Sequence, residues 1–342
     1  MMVRKALPGL IAASMALCAC NLAVAGENDE LDMPLGVWGL DAAILPLSGF
    51  YTQIVAERYS ANQVKDANGN NVSFSTMVPV APGVSIPVTG TVDPHVTVDA
   101  VTPKFVYISD DPVLGGHIGA YLAIPLLEKS RDIAVNVTTA LPPPLPQEIG
   151  QTATQLDSGS HRGIGDVEVT SFIGWKLDDL SFVAALNVDL PTGSFNKNSQ
   201  VNLGLNYYSI RPLVSAAYST ESGYDFAAAL SYNVSTVNHD TNYKSGQYIA
   251  LEYVGSYQFS NNVKAGLQGY YLSQTTNDQD PDNTALVPIV NGNRARAVSL
   301  GPAASYESDD LKTQIDFKYL IETDVRARPQ GNLLVLTLSR ML

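Results

Sequence analysis

Three observations in the sequence predict an all-β chain closed as an up-and-down antiparallel transmembrane β-barrel of about 12 strands. Apolar and polar residues alternate with period two over many segments, as in strands with one greasy and one wet side. The connections are short and long in turn, the habit of a barrel with short periplasmic turns, longer outer loops and an even strand number. After residue 25 there is no run of about 18 apolar residues, so no helix is marked to span a bilayer. A half-apolar strand still spans once its sheet is closed.

The chain opens on Arg4 and Lys5, a mostly apolar run from Ala6 to Ala19, and the small-x-small step Ala23-Val24-Ala25. That pattern predicts a secretory signal peptide over residues 1–25. The rival is a lipoprotein box at Leu17-Cys18-Ala19-Cys20, with Cys20 lipidated. Cleavage after Ala25 removes both of the 2 cysteines, leaving neither a disulfide nor a thiol nucleophile. Loss of Arg4 and Lys5 takes the formal charge from −13 to −15, and nucleic acid is excluded as a partner because phosphate neutralisation needs clustered cations. Residues 26–49 are apolar from Pro34 onward but broken by Pro34, Gly36, Gly39, Pro46 and Gly49. They are expected to form a periplasmic strap or a lumenal plug.

Residues 50–342 are expected to form the barrel. Strands are predicted at 50–60, 94–108, 116–127, 163–177, 180–190, 202–218, 224–237, 247–259, 263–276, 293–307, 311–323 and 332–342. Both termini then lie on the periplasmic side. The pair from Gly163 to Gly193 is the clearest hairpin: Leu180, Phe182, Ala184, Leu186, Val188 and Leu190 share one face across a turn at Asp178-Asp179. The first two strands alternate poorly. The sixth changes face near Ser209, with Arg211 and Pro212 inside it, so a bulge is expected there, and with it a lateral opening. Tyr is abundant, 17 against 2 Trp. Tyr51, Tyr59, Tyr107, Tyr224, Tyr243 and Tyr306 sit near strand ends, where aromatic girdles form.

A cation on the lipid face near the midplane costs roughly 2–4 kcal/mol, so the polar faces must turn inward. The residues expected to line the lumen are Asp166, Glu168, Lys176, Asn187, Asp189 and Asp225 from the first half of the barrel. Asn233, Glu252, Gln258, Lys264 and Gln268 follow, and then Lys312, Gln314, Asp316, Lys318 and Glu322. The small residues Ala227, Ala229, Gly266, Gly301 and Ala303 leave room for a narrow solute path.

Other constellations are weaker. The 4 histidines, His95, His117, His161 and His239, stand without a Gly-x-Ser-x-Gly elbow. Asp278, Asp280 and Asp282 alternate in a Pro-interrupted loop. Asp66 to Asn70 starts like a calcium loop but has Met77 at its twelfth place, and reads better as a turn. LPPPLP, from Leu141 to Pro146, is a stiff polyproline prop. No catalytic, cofactor-binding or metal site is assigned.

From Pro34 to the C terminus the chain resembles the meta-pathway phenol-degradation family of outer-membrane proteins. The resemblance rests on PLGVWGLDAAILPLSGFY, GIGDVEV, Asp189-Leu190-Pro191-Thr192-Gly193, NLGLNYYSIRPLVSAAY from Asn202, HDTNYKSG from His239 and NRARAVSLGPAASY from Asn293. Two loops, 61–93 and 128–162, are long for that family, and a terminal aromatic is replaced by Leu342. The resemblance implies a non-enzymatic channel in the bacterial outer membrane that takes up small hydrophobic or aromatic solutes. Its implied partners are outer-membrane lipids, the solute and the barrel-assembly machinery. The alternatives are a structural or adhesive barrel with a closed lumen and an outer-membrane lipid hydrolase.

Overall fold

The computed structural model describes residues 26–27, 35–37, 40, 43–81, 83–139, 152–199, 201–282 and 294–342. The expected signal peptide, Cys20 and the polyproline stretch lie outside the described residues.

The strands are β1 (Gly49–Lys65), β2 (Ser73–Ala81), β3 (Val84–Val113), β4 (Gly116–Ala123), β5 (Leu126–Thr139), β6 (Thr152–Ile164), β7 (Val167–Leu177) and β8 (Leu180–Leu190). They continue as β9 (Ser209–Ser219), β10 (Tyr224–Ser235), β11 (Tyr248–Gln258), β12 (Val263–Gln274), β13 (Arg296–Glu307), β14 (Thr313–Arg326) and β15 (Arg328–Met341). β4 and β5 both pair with β3 and are one barrel strand interrupted at Ile124-Pro125. β6 and β7 are likewise one strand, interrupted at Gly165-Asp166. With β2 as a side hairpin on β3, the barrel has 12 strands, all antiparallel. β1 pairs with β15 on one side and β3 on the other, which closes the sheet.

Alternation sets the two faces. On β14 Ile315, Phe317 and Ile321 are exposed, while Asp316, Lys318, Leu320 and Glu322 are buried. β10 repeats this, with Phe226 and Leu230 outside and Ala227, Ala229, Ser231 and Asn233 inside. β8, β9 and β11 have 11 residues each, within the 9–11 that span a bilayer when tilted. At the short-turn end the outer surface carries Phe50 against Tyr107 (centroids 4.6 Å apart) and Tyr224, Tyr257 and Phe259 in contact. Toward the long-loop end the band stops at outward ion pairs, Arg58–Asp99 (3.7 Å) and Arg296–Asp324 (2.8 Å). Tyr59 and Tyr243 do not join a girdle: Tyr59 bonds inward to Glu322, and Tyr243 is buried in a loop.

Several boundaries differ from expectation. The stretches 61–93 and 128–162, read as loops, largely continue as strand: β3 starts at Val84, β5 runs to Thr139 and β6 starts at Thr152. Ladder bonds there satisfy the backbone without one-sided apolar content, so the sequence pattern is faint. The link expected at 324–331 shrinks to Ala327, in the left-handed region (φ 49). The strand drawn from 202 begins at Ser209, and no bulge is found: β8–β9 and β9–β10 keep one register throughout. The change of face is where the loop becomes strand. Pro212 only deletes one ladder donor.

The motif residues of the resemblance tie a loop to the kink at Gly165-Asp166. The Asp166 carboxylate accepts from the amides of Gly193 (2.8 Å) and Leu205 (2.7 Å). The Thr192 hydroxyl accepts from the Val167 amide (2.9 Å) and donates to the Gly165 carbonyl (3.3 Å). Gly193 and Gly204 pack backbone to backbone, so a Cβ on Gly193 would lie 2.7 Å from the Gly204 Cα.

Candidate functional site: a chamber over a charged layer

The described pieces of the N-terminal segment lie inside the barrel. At the long-loop end the Gly26 amide donates to Asp278 (2.9 Å), and the Asn238 amide donates to Glu27 (2.8 Å). Leu35 packs with Tyr270, Leu320, Leu333 and Val55. Gly36 has φ +71, and a Cβ there would come 3.1 Å from Leu333 and 3.3 Å from Tyr270. Further toward the short-turn end Leu40 and Ala43 pack among Val183, Ala217, Ala227, Val254 and Ala303. Ser48 bonds the Ser109 carbonyl (2.8 Å) where the segment enters β1. Of the small residues expected to leave a solute path, Ala227 and Ala303 instead pack against this segment.

A chamber of about 360 Å³ remains in the half nearer the long loops. Leu35 and Val37 of the segment, Val55, Val98, Ala100, Leu127 and Leu333 of the wall, and Leu203 and Leu205 of the 191–208 loop give it an apolar lining. Charged side chains line it as well: Glu57, Lys104, Lys129, Arg131, Asp166, Glu168, Asp189 and Arg328.

Glu168, Asp189 and Arg328 belong to a layer of cross-strand bonds. Glu168 is held by Arg211 and by the Tyr121 hydroxyl. Arg211 also reaches Asp189 (3.5 Å). Asn187 accepts from Thr170 (2.6 Å) and donates to the Arg211 carbonyl (3.0 Å). Across the barrel Glu322 accepts from Tyr270 (2.7 Å), Tyr59 (2.9 Å) and the Gly331 amide (2.7 Å), with Arg328 at 3.4 Å. Nearer the short-turn end, outside that layer, Lys264 pairs with Asp225 (2.6 Å), and Gln314 bonds Asp316 on its own strand (3.0 Å). Buried charges persist only when paired or hydrogen-bonded, which is why these residues meet here.

Of the sequence-expected lining residues, Glu168, Asn187, Asn233, Glu252, Gln268, Asp316, Lys318 and Glu322 are buried. Asp166, Asp189, Asp225, Gln258, Lys264 and Gln314 are half-buried, and Asp166 is consumed by the loop clasp. Lys176 and Lys312 are exposed at the short-turn end, Lys312 inside a turn where its amide meets Asp310 (3.1 Å). Sequence reasoning missed Glu57, Lys104 and Tyr121, and placed Arg211 in a bulge. The signal was the poor alternation of the first two strands: their inner faces mix apolar residues with Glu57 and Lys104, and Arg58 and Asp99 pair on their outer faces.

Asp278 receives three amide donors, from Gly26, Gly246 (2.6 Å) and Gln274 (2.7 Å). Burial pushes its carboxyl above the ordinary carboxylate range, and these bonds pull it back only in part. Asp66 accepts from the Asn68 and Asn70 amides and forms a turn. His117 bonds the Ser109 carbonyl (2.9 Å), while the Ser109 hydroxyl is engaged by Asp111 and Ile118 backbone.

Residues 61–338 match the family model described as MetA-pathway of phenol degradation. The chain belongs to that family. Among solved structures it is similar to the COG4313 outer membrane channel from Pseudomonas putida F1, at 14% identity and TM-score 0.64, over 91% of this chain and 100% of that one. This likeness shows the barrel fold. A Pseudomonas aeruginosa FadL homologue aligns at 11% identity and TM-score 0.39, over 95% and 97% of the two chains. No curated protein matches.

Proposed function

We propose that this family member is an outer-membrane channel for uptake of small hydrophobic or aromatic solutes. The observation that carries the reading is an apolar chamber of about 360 Å³ enclosed in a barrel whose outer surface is itself apolar. Pockets of a few hundred Å³ whose lining surface is mostly apolar suit small ligands. Membership in a phenol-degradation family agrees with that class of solute. In this reading the long loops face outward, both ends of the barrel domain are periplasmic, and residues 26–49 act as a lumenal plug. A signal peptide over residues 1–25 and the barrel-assembly machinery deliver the chain. The exposed Leu334, Leu336 and Leu338 of β15 suit the latter's recognition of a terminal strand.

One observation favours a closed structural barrel instead: Leu40 and Ala43 fill the bore below the chamber. Growth and uptake by a deletion strain on a panel of aromatic carbon sources separates the two. Slower uptake of at least one aromatic supports the channel. Unchanged growth and uptake on all of them supports the closed barrel. A lipid hydrolase is disfavoured because His117 bonds the Ser109 carbonyl while the Ser109 hydroxyl is engaged by backbone groups.

A further inference from the structure

Asp278 is a buried carboxylate, 5% exposed, whose partners are all uncharged. One oxygen accepts from the Gly246 amide (2.6 Å) and the Gln274 side chain (2.7 Å), and the other from the Gly26 amide (2.9 Å). The Tyr243 hydroxyl is a fourth donor. Among the described residues no lysine or arginine pairs with it. An ionised carboxylate is costly in such a place unless a cation meets it. The segment that reaches it brings no side-chain cation: residues 26–49 hold Glu27, Asp29, Glu30, Asp32 and Asp41 and no lysine, arginine or histidine.

The atom that touches Asp278 is the nitrogen of Gly26, and Gly26 is the first residue after the expected cleavage at Ala25. Hydrolysis of the Ala25–Gly26 bond by a signal peptidase adds one water, leaving a carboxylate on Ala25 and an amine on Gly26. An α-amine has an ordinary pKa of about 7.7–8.0, so at neutral pH it takes up a proton and becomes a cation. We propose that cleavage after Ala25 creates the counter-ion of Asp278: the α-ammonium of Gly26 pairs with that carboxylate and pins the plug at the long-loop end. The other end of the segment is held by Ser48 where it enters β1, so the pair fixes it across the bore. A chain that kept its leader would have to continue outward past the long loops, away from the inner membrane that holds a signal peptide. The pair therefore belongs to the processed chain. This rests on the reading of residues 1–25 as a signal peptide and of the long loops as outward.

The test uses protein purified from outer membranes after export with its own leader. Its intact mass gives the first residue. The tryptic peptide from Gly26 to Arg58 has no lysine, so acetylation of that peptide by an N-hydroxysuccinimide ester reports the α-amine alone. Rates are followed across pH in the folded protein and in protein unfolded by heat in urea. Glu27, Tyr207 and Tyr243 are the other titratable groups around the site. Pairing should move the midpoint of the rate profile about one pH unit above that of the unfolded chain and slow the reaction at neutral pH about tenfold. Burial alone moves the midpoint the other way. D278N should bring it down to or below the unfolded value, whereas the exposed D282N should leave it raised. Heat-modifiable migration confirms that each variant is folded. A chain that starts at another residue overturns both the cleavage reading and the pair. A chain that starts at Gly26 with a midpoint at or below the unfolded one, or with one that D278N does not move, overturns the pair alone.

Discussion

Arg211 is the cation on which the charged layer depends. It neutralises Glu168 and lies near Asp189, and all three are inside the barrel. Removing one partner of a buried pair strands the other, at about 3–5 kcal/mol. R211M should therefore lower the unfolding free energy read from urea titration of the refolded barrel by that order, whereas the exposed R58M should change it little. While Gly26 is still joined to Ala25, Asp278 carries a pH dependence of definite sign. Its folded carboxyl is raised above the ordinary 3.8, so the closed loop binds a proton more tightly than the open one. The stabilising effect of that proton is present at low pH and is lost as pH rises through the raised value. Hydrogen exchange at the Gly246 amide, corrected for intrinsic rate, should quicken relative to acid pH, and D278N should flatten the slope.

At the scale of elements, the N-terminal segment and the 191–208 loop frame the chamber from opposite sides. Gly36 is left-handed and pressed against Leu333 and Tyr270, so a branched side chain there meets both backbone strain and the wall. G36V should loosen the segment and raise single-channel conductance in planar bilayers; an unchanged trace would show that Leu40 and Ala43 hold the bore shut by themselves. The clasp at Asp166 is a second lever. D166A leaves the Gly193 and Leu205 amides without their acceptor, a cost of about 1–3 kcal/mol for each one that stays buried. Proteolysis within 191–208 should become faster while the barrel remains heat-modifiable.

For the whole molecule, the consequence of closure is that neighbouring positions on one strand face opposite solvents. Phe317 is 45% exposed and Lys318 is 2% exposed. F317K places a cation in hydrocarbon, for roughly 2–4 kcal/mol near the midplane. It should impair folding into vesicles, and Gln314→Lys, inward on the same strand, should be tolerated. The opposite ranking would mean that the apolar face is not in lipid.

Local periodicity was enough to read most of the barrel. β8, β10, β11 and β14 alternate cleanly because lipid lies on one side of them and buried polar groups on the other. β1 and the long β3 were harder to read, because their inner faces mix Val55, Val98 and Ala100 with Glu57 and Lys104 while Arg58 and Asp99 pair on the outside, so neither face is of one kind. The bulge drawn at Ser209 was a loop joining a strand, a distinction that ladder bonds make and side-chain character does not.

What the sequence determined by itself was the architecture: the strand count, the outward greasy face and the inward charges, all consequences of a two-residue repeat beside hydrocarbon. Only the tertiary structure decided which charges pair, that Leu40 and Ala43 pack against Ala227 and Ala303 in the bore, and that Glu57 and Lys104 face one chamber. Those are matters of which strands become neighbours on closure, and pairs such as Arg211 with Glu168 are brought together by the curvature of the sheet, over separations that no local pattern encodes.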